Sequence, residues 1–151
     1  MAKVEDPEQR RRVKAVCVSG KKGEKKKPVE SIQLVEGFGI KGDAHAGSGR
    51  PVSLLAWESI EKMIDKGLKI GFGDFAENIV TEGMNLPSLP IGSRIKLGKD
   101  AELEIIQIGK VCHDRCAIYY QAGDCVMPKE GVFAKVIAGG EIKDGDRIQI
   151  I

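Results

Sequence analysis

A chain of 151 residues with 42% apolar and 30% charged side chains has the composition of one soluble domain, large enough to bury a core unaided. Its net charge of only +2 argues neither for nor against nucleic acid. No apolar run approaches the ~20 residues of a membrane span, and residues 1–12 lack the apolar core of a secretory signal, so a cytoplasmic protein with no membrane partner is expected.

Residues 1–11 read as a flexible lead-in and residues 12–151 as a single domain. Arg10, Arg11 and Arg12 form one basic run, and Lys21, Lys22, Lys25, Lys26 and Lys27 form another. Each is either solvated charge or a contact for an anion. A nucleic-acid surface interleaves aromatics with such cations, and none occurs before Phe38. Nucleic acid is therefore not an expected partner.

Residues 13–19 alternate and are β-branched, which predicts a strand with Val13, Ala15 and Cys17 on one face. Cys17 then reads as a buried core thiol. Residues 29–35 predict a second strand, a hairpin partner to the first. Between residues 37 and 50 the sequence G-F-G-I-K-G-D-A-H-A-G-S-G-R holds too many glycines for a regular element. Such a loop permits positive φ and close approach of backbone to a ligand. It carries Asp43, His45 and Arg50.

Residues 51–55 return to strand. Trp57, Ile60, Met63 and Ile64 then repeat at helical spacing, with Gly67 as a C-terminal stop, which predicts a helix near residues 56–66. A second glycine-bearing loop, G-F-G-D-F-A-E-N-I-V-T, runs into a strand, with Glu77 and Asn78 at the junction. Residues 94–97 and 102–108 predict a hairpin around G-K-D-A. Val132, Phe133, Val136 and Ile137 also repeat at helical spacing after Pro128, so a further helix is expected there. A last strand covers residues 147–151, after an Asp-Gly turn. The fold class is mainly β (α+β): a barrel-like sheet of about seven or eight mostly antiparallel strands with two or three helices.

Residues 109–130, G-K-V-C-H-D-R-C-A-I-Y-Y-Q-A-G-D-C-V-M-P-K-E, concentrate the reactive side chains. Three of the four cysteines (Cys112, Cys116 and Cys125) and one of the two histidines (His113) lie here. In a reducing compartment cysteines serve as thiols, metal ligands or catalysts rather than structural bridges. A Cys3His zinc site is disfavoured, because adjacent Cys112 and His113 rarely share one ion and no second C-x-x-C knuckle exists. C-x-x-x-C is one residue too long for a thioredoxin-type motif, although Cys116 with Cys112 or Cys125 would still serve a redox sensor. Cys116 follows Arg115 and lies near His113 and Lys110, and such cations favour thiolate over thiol. A thiolate there attacks an electrophile, carries a persulfide sulfur or ligates a soft metal such as molybdenum. The bland alternative makes all three cysteines small core hydrophobes.

Four motifs occur in order: G-I-K-G-D-A-H-A-G…R-P-V-S-L-L, G-D-F-A-E-N-I, I-G-K-V-C-H-D-R-C, and G-D-C-V-M-P-K-E-G-V-F-A-K-V with a terminal G-G-E-I-K-D-G-D. Together they resemble the MOSC family, named for the C-terminal domain of molybdenum cofactor sulfurase, and its small stand-alone bacterial members in particular. The resemblance implies a distorted closed β-barrel. It implies binding of, or sulfur transfer to, the molybdenum cofactor (molybdopterin), with sulfurtransferase-like or cofactor-dependent activity. By position Cys116 matches the family's essential cysteine, as persulfide carrier or molybdenum ligand. Asp43, His45 and Arg50 match the G-D-x-H-x-G…R pattern and Glu77 and Asn78 the F-x-E-N pattern. With Arg115 they would line one cofactor-binding cleft. The implied partners are a sulfur-donor protein such as a cysteine desulfurase, and the cofactor or a molybdoenzyme as acceptor. A chain of this length has no room for the sulfurases' aminotransferase-like domain, so pyridoxal phosphate is not expected. The alternatives are a non-catalytic module binding a pterin or phosphate ligand, and a thiol redox sensor.

Overall fold

The computed structural model describes residues 10–21, 25–109 and 130–151. Their strands form two sheets. The larger has eight strands, built from β1 (Arg12–Val18), β2 (Lys27–Val29), β5 (Val52–Ala56), β6 (Ile79–Glu82), β7 (Arg94–Leu97), β8 (Ala101–Ile108), β9 (Val132–Ala138) and β11 (Ile148–Ile150), in the order β11-β7-β8-β9-β5-β6-β1-β2. The smaller has three, β3 (Ser31–Val35), β4 (Gly39–Ile40) and β10 (Gly140–Lys143), in the order β10-β3-β4. Every ladder is antiparallel except β5 with β6.

The expected mainly β fold is thus present, but the ladders do not close into a barrel. The start of β1 meets the turn before β11 through the isolated bridge Arg12–Arg147 and backbone hydrogen bonds such as Val13 N–H to the Asp146 carbonyl at 2.8 Å, without a continuous ladder among the described residues. Among the described residues one α-helix occurs, α1 (Trp57–Asp65), together with a 3₁₀ turn at Leu86–Ser88. No helix there is long and apolar enough to cross a membrane.

Residues 132–138 correct an expectation. They form β9, paired with both β5 and β8, rather than a helix. A strand covered on both faces needs no alternation, so its apolar residues can fall at any spacing, including a helical one. Residues 29–35 also divide. Pro28 lacks an N–H and sits in the edge strand β2, while Ser31 onward turns into the smaller sheet. In β1 a register shift between Val13 and Ala15 places Val13 and Val16 in the main core and Ala15 against the helix layer. Val13 and Ala15 therefore do not share a face, although Cys17 is fully buried as expected.

The main core joins the two sheets. Ile32, Leu34, Ile40 and Ile142 from the small sheet pack with Leu54, Ile79, Leu103 and Ile105 from the large one. On the other side Ile60 and Met63 of α1 bury against Leu55, Val80 and Phe133. Burying each such side chain contributes about 1.5–3 kcal/mol. Ile60 and Met63 are therefore core and Trp57 packs beside them, as the periodicity predicts, whereas Ile64 near the end of α1 is exposed. Trp57 adds a tilted ring contact to Phe72 at 5.5 Å.

Candidate functional site

Strands β5 and β6 run parallel, so the loops preceding them, residues 41–51 and 71–78, emerge at the same end of the sheet. The C-terminal end of β1 joins them there, because Cys17 N–H donates to the Asn78 carbonyl at 2.7 Å and Ala44 N–H to the Ser19 carbonyl at 2.8 Å. Two of the three segments predicted to form the cleft are thereby brought together.

Asp43 is buried and ties the first loop to β1. Its Oδ1 accepts from Ser19 N–H at 3.1 Å and from Lys26 Nζ at 2.8 Å, and its Oδ2 accepts from His45 N–H at 3.1 Å. Neither side chain of the Lys26–Asp43 pair is exposed. Burial alone would push the Asp43 carboxyl up. The Lys26 ammonium and the two backbone donors outweigh it and hold the group below its ordinary value. The Lys26 ammonium also reaches Ser19 Oγ at 3.3 Å and His45 Nδ1 at 3.2 Å. The His45 side chain keeps about a third of its surface, 33%, toward solvent.

In the second loop Glu77 and Asn78 are fully buried. Glu77 accepts from Gly73 N–H at 3.0 Å and Phe75 N–H at 3.1 Å. Burial pushes its carboxyl up to about 7, against those two donors and with a smaller push from Asp74. Asn78 Oδ1 accepts from Ser53 N–H at 3.0 Å and Ser53 Oγ at 3.1 Å, while its Nδ2 donates to the Cys17 carbonyl at 3.1 Å. Just before them Ala76 holds φ at +63°, a left-handed conformation costly for a residue with a Cβ. Gly73, at φ +88°, lies so close to the Lys26 backbone that a Cβ there would strike the Lys26 carbonyl. Lys26 N–H donates back to the Gly73 carbonyl at 2.9 Å.

Cys17 sits behind this cluster. Burial first, then the nearby Glu77 carboxylate, push its thiol up to about 12, with Lys26 acting in the opposite direction. A thiol that high, with no exposed surface, presents no thiolate to solvent. Arg50, at the end of the first loop, is exposed and places its guanidinium 5.1 Å from the centre of the Phe133 ring, a cation–π contact.

Cys112, His113, Arg115, Cys116 and Cys125 lie outside the described residues. The stem of their segment is described. Ile108 pairs with Val132, and Gly109 N–H donates to the Gly131 carbonyl at 2.6 Å. Phe133, two residues beyond Gly131, pairs with Ser53, the residue that Asn78 holds. Arg50 is thus the described loop residue that reaches the stem of the cysteine segment. A separate cavity of about 460 Å³ lies by α1, lined by Ser59, Lys62, Met84, Leu86 and Glu130 among others, and the Lys62–Glu130 ion pair of 2.7 Å spans part of its wall.

Of the residues expected to bind a cofactor, Asp43, Glu77 and Asn78 direct their polar atoms into the protein. His45 and Arg50 keep surface toward solvent. Sequence reasoning missed Lys26 as an individual. Nothing in a run of lysines marks which one is buried; the backbone contact with Gly73 and the side-chain contact with Asp43 decide it.

A family model described as MOSC domain matches residues 41–149. No curated protein matches the chain. Among solved structures it is similar to the YuaD protein from Bacillus subtilis, with a TM-score of 0.76 and 19% identity over 93% of this chain and 94% of that one. It is similar to YiiM from Geobacillus stearothermophilus, with a TM-score of 0.67 and 16% identity over 93% of this chain and 75% of that one. YiiM from Escherichia coli gives a TM-score of 0.63 and 18% identity over 93% and 69%. At such identities these structures establish the shared fold alone.

Proposed function

The chain belongs to the MOSC domain family, and on that premise we propose that it carries sulfur, or binds the molybdenum cofactor, in metal–sulfur transfer through the thiolate of Cys116. The observation that carries this reading is the placement of Arg50. An exposed guanidinium from the 41–51 loop lies over Phe133, at the stem of the segment that contains Cys116. A planar fork of donors suits a phosphate or a pterin edge.

The donor chemistry fits the cofactor. Lys26 is fully occupied by internal acceptors, so anion binding falls to Arg50, the His45 ring and, from the sequence, Arg115. Asp43, Glu77 and Asn78 act on the cofactor indirectly, by holding the loops that carry those groups. When bound, the cofactor supplies a metal centre that accepts soft sulfur ligands.

In the sulfur-carrier form of the reading, the Cys116 thiolate attacks the terminal sulfur of a donor persulfide, such as that of a cysteine desulfurase. The donor sulfur–sulfur bond breaks, the donor leaves as thiolate, and a persulfide forms on Cys116. No external oxidant enters. The acceptor is the cofactor or a molybdoenzyme that holds it. Lys110 and Arg115 favour the thiolate before attack.

Intact-mass spectrometry of wild type and Cys116→Ser, before and after a persulfide donor, tests this. The carrier predicts a gain of one sulfur, about 32 Da, that reductant removes and Cys116→Ser lacks. No adduct on wild type shifts the reading to cofactor binding. A disulfide of Cys116 with Cys112 or Cys125 under mild oxidant shifts it to a redox sensor.

A further inference from the structure

We infer that Lys26 is a positioning residue that fixes the tautomer of His45, leaving Nδ1 bare and the proton on Nε2, so that this ring serves the site as a hydrogen-bond donor and not as a base. The ammonium of Lys26 has three N–H donors, and three acceptors surround it: Asp43 Oδ1 at 2.8 Å, Ser19 Oγ at 3.3 Å and His45 Nδ1 at 3.2 Å. Ser19 Oγ spends its own proton on the Lys21 carbonyl at 3.1 Å, which leaves its lone pairs for Lys26.

The other tautomer does not fit. A proton on Nδ1 would face the ammonium donor at 3.2 Å and strip Lys26, buried and unexposed, of its third acceptor. The alternative acceptor, Asp43 Oδ2, is 3.7 Å from Nδ1, too far for a hydrogen bond, and it is already engaged by His45 N–H. A buried cation left one partner short is costly. The hydrogen-bond network therefore assigns the ring.

The consequence for chemistry rests on the reading given under Proposed function. A neutral imidazole with its proton on Nε2 donates to acceptors: a phosphate oxygen, a thiolate or a persulfide sulfur. It does not deprotonate an incoming thiol, because its one unprotonated nitrogen faces Lys26. What Nε2–H can meet, whether a group of this protein or a ligand, is thus an anion or another acceptor, matching the guanidinium of Arg50 on the same loop.

Long-range nitrogen–proton NMR of the ¹⁵N-labelled free protein tests the assignment without any sulfur donor or cofactor. The chain has two histidines, so a His113→Gln variant identifies the His45 signals. At a pH where the ring is neutral, wild type should show one tautomer, with Nδ1 unprotonated. The double variant Lys26→Met/Asp43→Asn removes both charges together and leaves no lone buried ion, and it should show a mixture of both tautomers. Protonated Nδ1 or a mixture in wild type overturns the proposal. A single Nε2–H tautomer retained in the folded double variant also overturns it, since Lys26 would not be its cause. If the double variant does not fold, the wild-type spectrum decides, together with a hydrogen-bond coupling between Lys26 Nζ and His45 Nδ1 that the proposal requires and whose absence refutes it. Either result leaves the persulfide measurement on Cys116 standing by itself.

Discussion

Asn78 and Cys17 bond to each other in both directions. The Asn78 side chain donates to the Cys17 carbonyl at 3.1 Å, and the Cys17 N–H donates to the Asn78 carbonyl at 2.7 Å. The same side chain accepts from Ser53 N–H and lies within reach of the Ser53 hydroxyl, so one amide joins β1, β5 and the start of β6. Asn78→Ala strands the Cys17 carbonyl and the Ser53 N–H in a dry interior, while the Ser53 hydroxyl keeps the Ala76 carbonyl at 3.2 Å. The loss should be about 3 kcal/mol, since each buried unsatisfied group costs about 1–3 kcal/mol. Asn78→Asp keeps the acceptor but places an oxygen against the Cys17 carbonyl, and should be at least as damaging at neutral pH. Urea unfolding of the three proteins measures the order.

The Lys26–Asp43 pair has a different signature. Lys26→Met leaves a buried carboxylate with no counter-ion and should destabilise by about 3–5 kcal/mol. Adding Asp43→Asn should recover part of that loss, because the uncompensated charge disappears. A double variant no more stable than Lys26→Met would show that the ammonium matters through its other contacts alone. Chemical denaturation midpoints supply the comparison.

Glu77 makes stability fall as pH rises. Its folded value of about 7 stands above the ordinary 4.5, so between those values the folded state binds more protons than the unfolded one. The stabilising contribution is complete below about 4.5 and is lost as pH climbs to about 7. A shift of this size corresponds to roughly 3 kcal/mol across that window. Asp43, held low, acts with the opposite sign, and its contribution is lost only as pH falls below the ordinary 3.8. The stability of wild type minus that of Glu77→Gln should therefore decline from pH 4.5 to 7. A flat difference would contradict the buried, protonatable carboxyl.

Cys17 should be chemically silent in the native protein. With its thiol pushed up to about 12, roughly one molecule in ten thousand carries the thiolate at pH 8, and no part of the residue is exposed. Iodoacetamide followed by peptide mapping should leave Cys17 unmodified until denaturant is added. Modification of the native protein at the rate of an open thiol would contradict its burial.

Much of the architecture was legible wherever a segment has one wet face. The α1 stripe, the β7–β8 hairpin around residues 98–100 and the glycine-bearing loops were all readable because periodicity or turn chemistry speaks locally. The misread element, β9, is buried on both faces over Val132, Phe133 and Ala134 and opens at Lys135, so its apolar residues carry no clean period of two. The bulge that separates Val13 from Ala15 has no signal in V-K-A-V. In the site, Asp43 and Asn78 stand out in the sequence as polar groups at plastic loops, and their contacts run to neighbouring backbone, Lys26 and Ser53. Lys26 is hidden among identical neighbours, since its burial depends on Gly73 and Asp43, both far along the chain.

The contact between Arg12 and Arg147 has a bearing on synthesis. The opening strand finds one of its neighbours, the backbone at residues 145–148, only near the end of the described chain. As the polypeptide leaves the ribosome, β1 can dock on β2 and later on β6, but its remaining neighbour does not yet exist. That flank of the nascent domain stays open until residues 145–148 have emerged, and the turn there acts as the latch that shuts it.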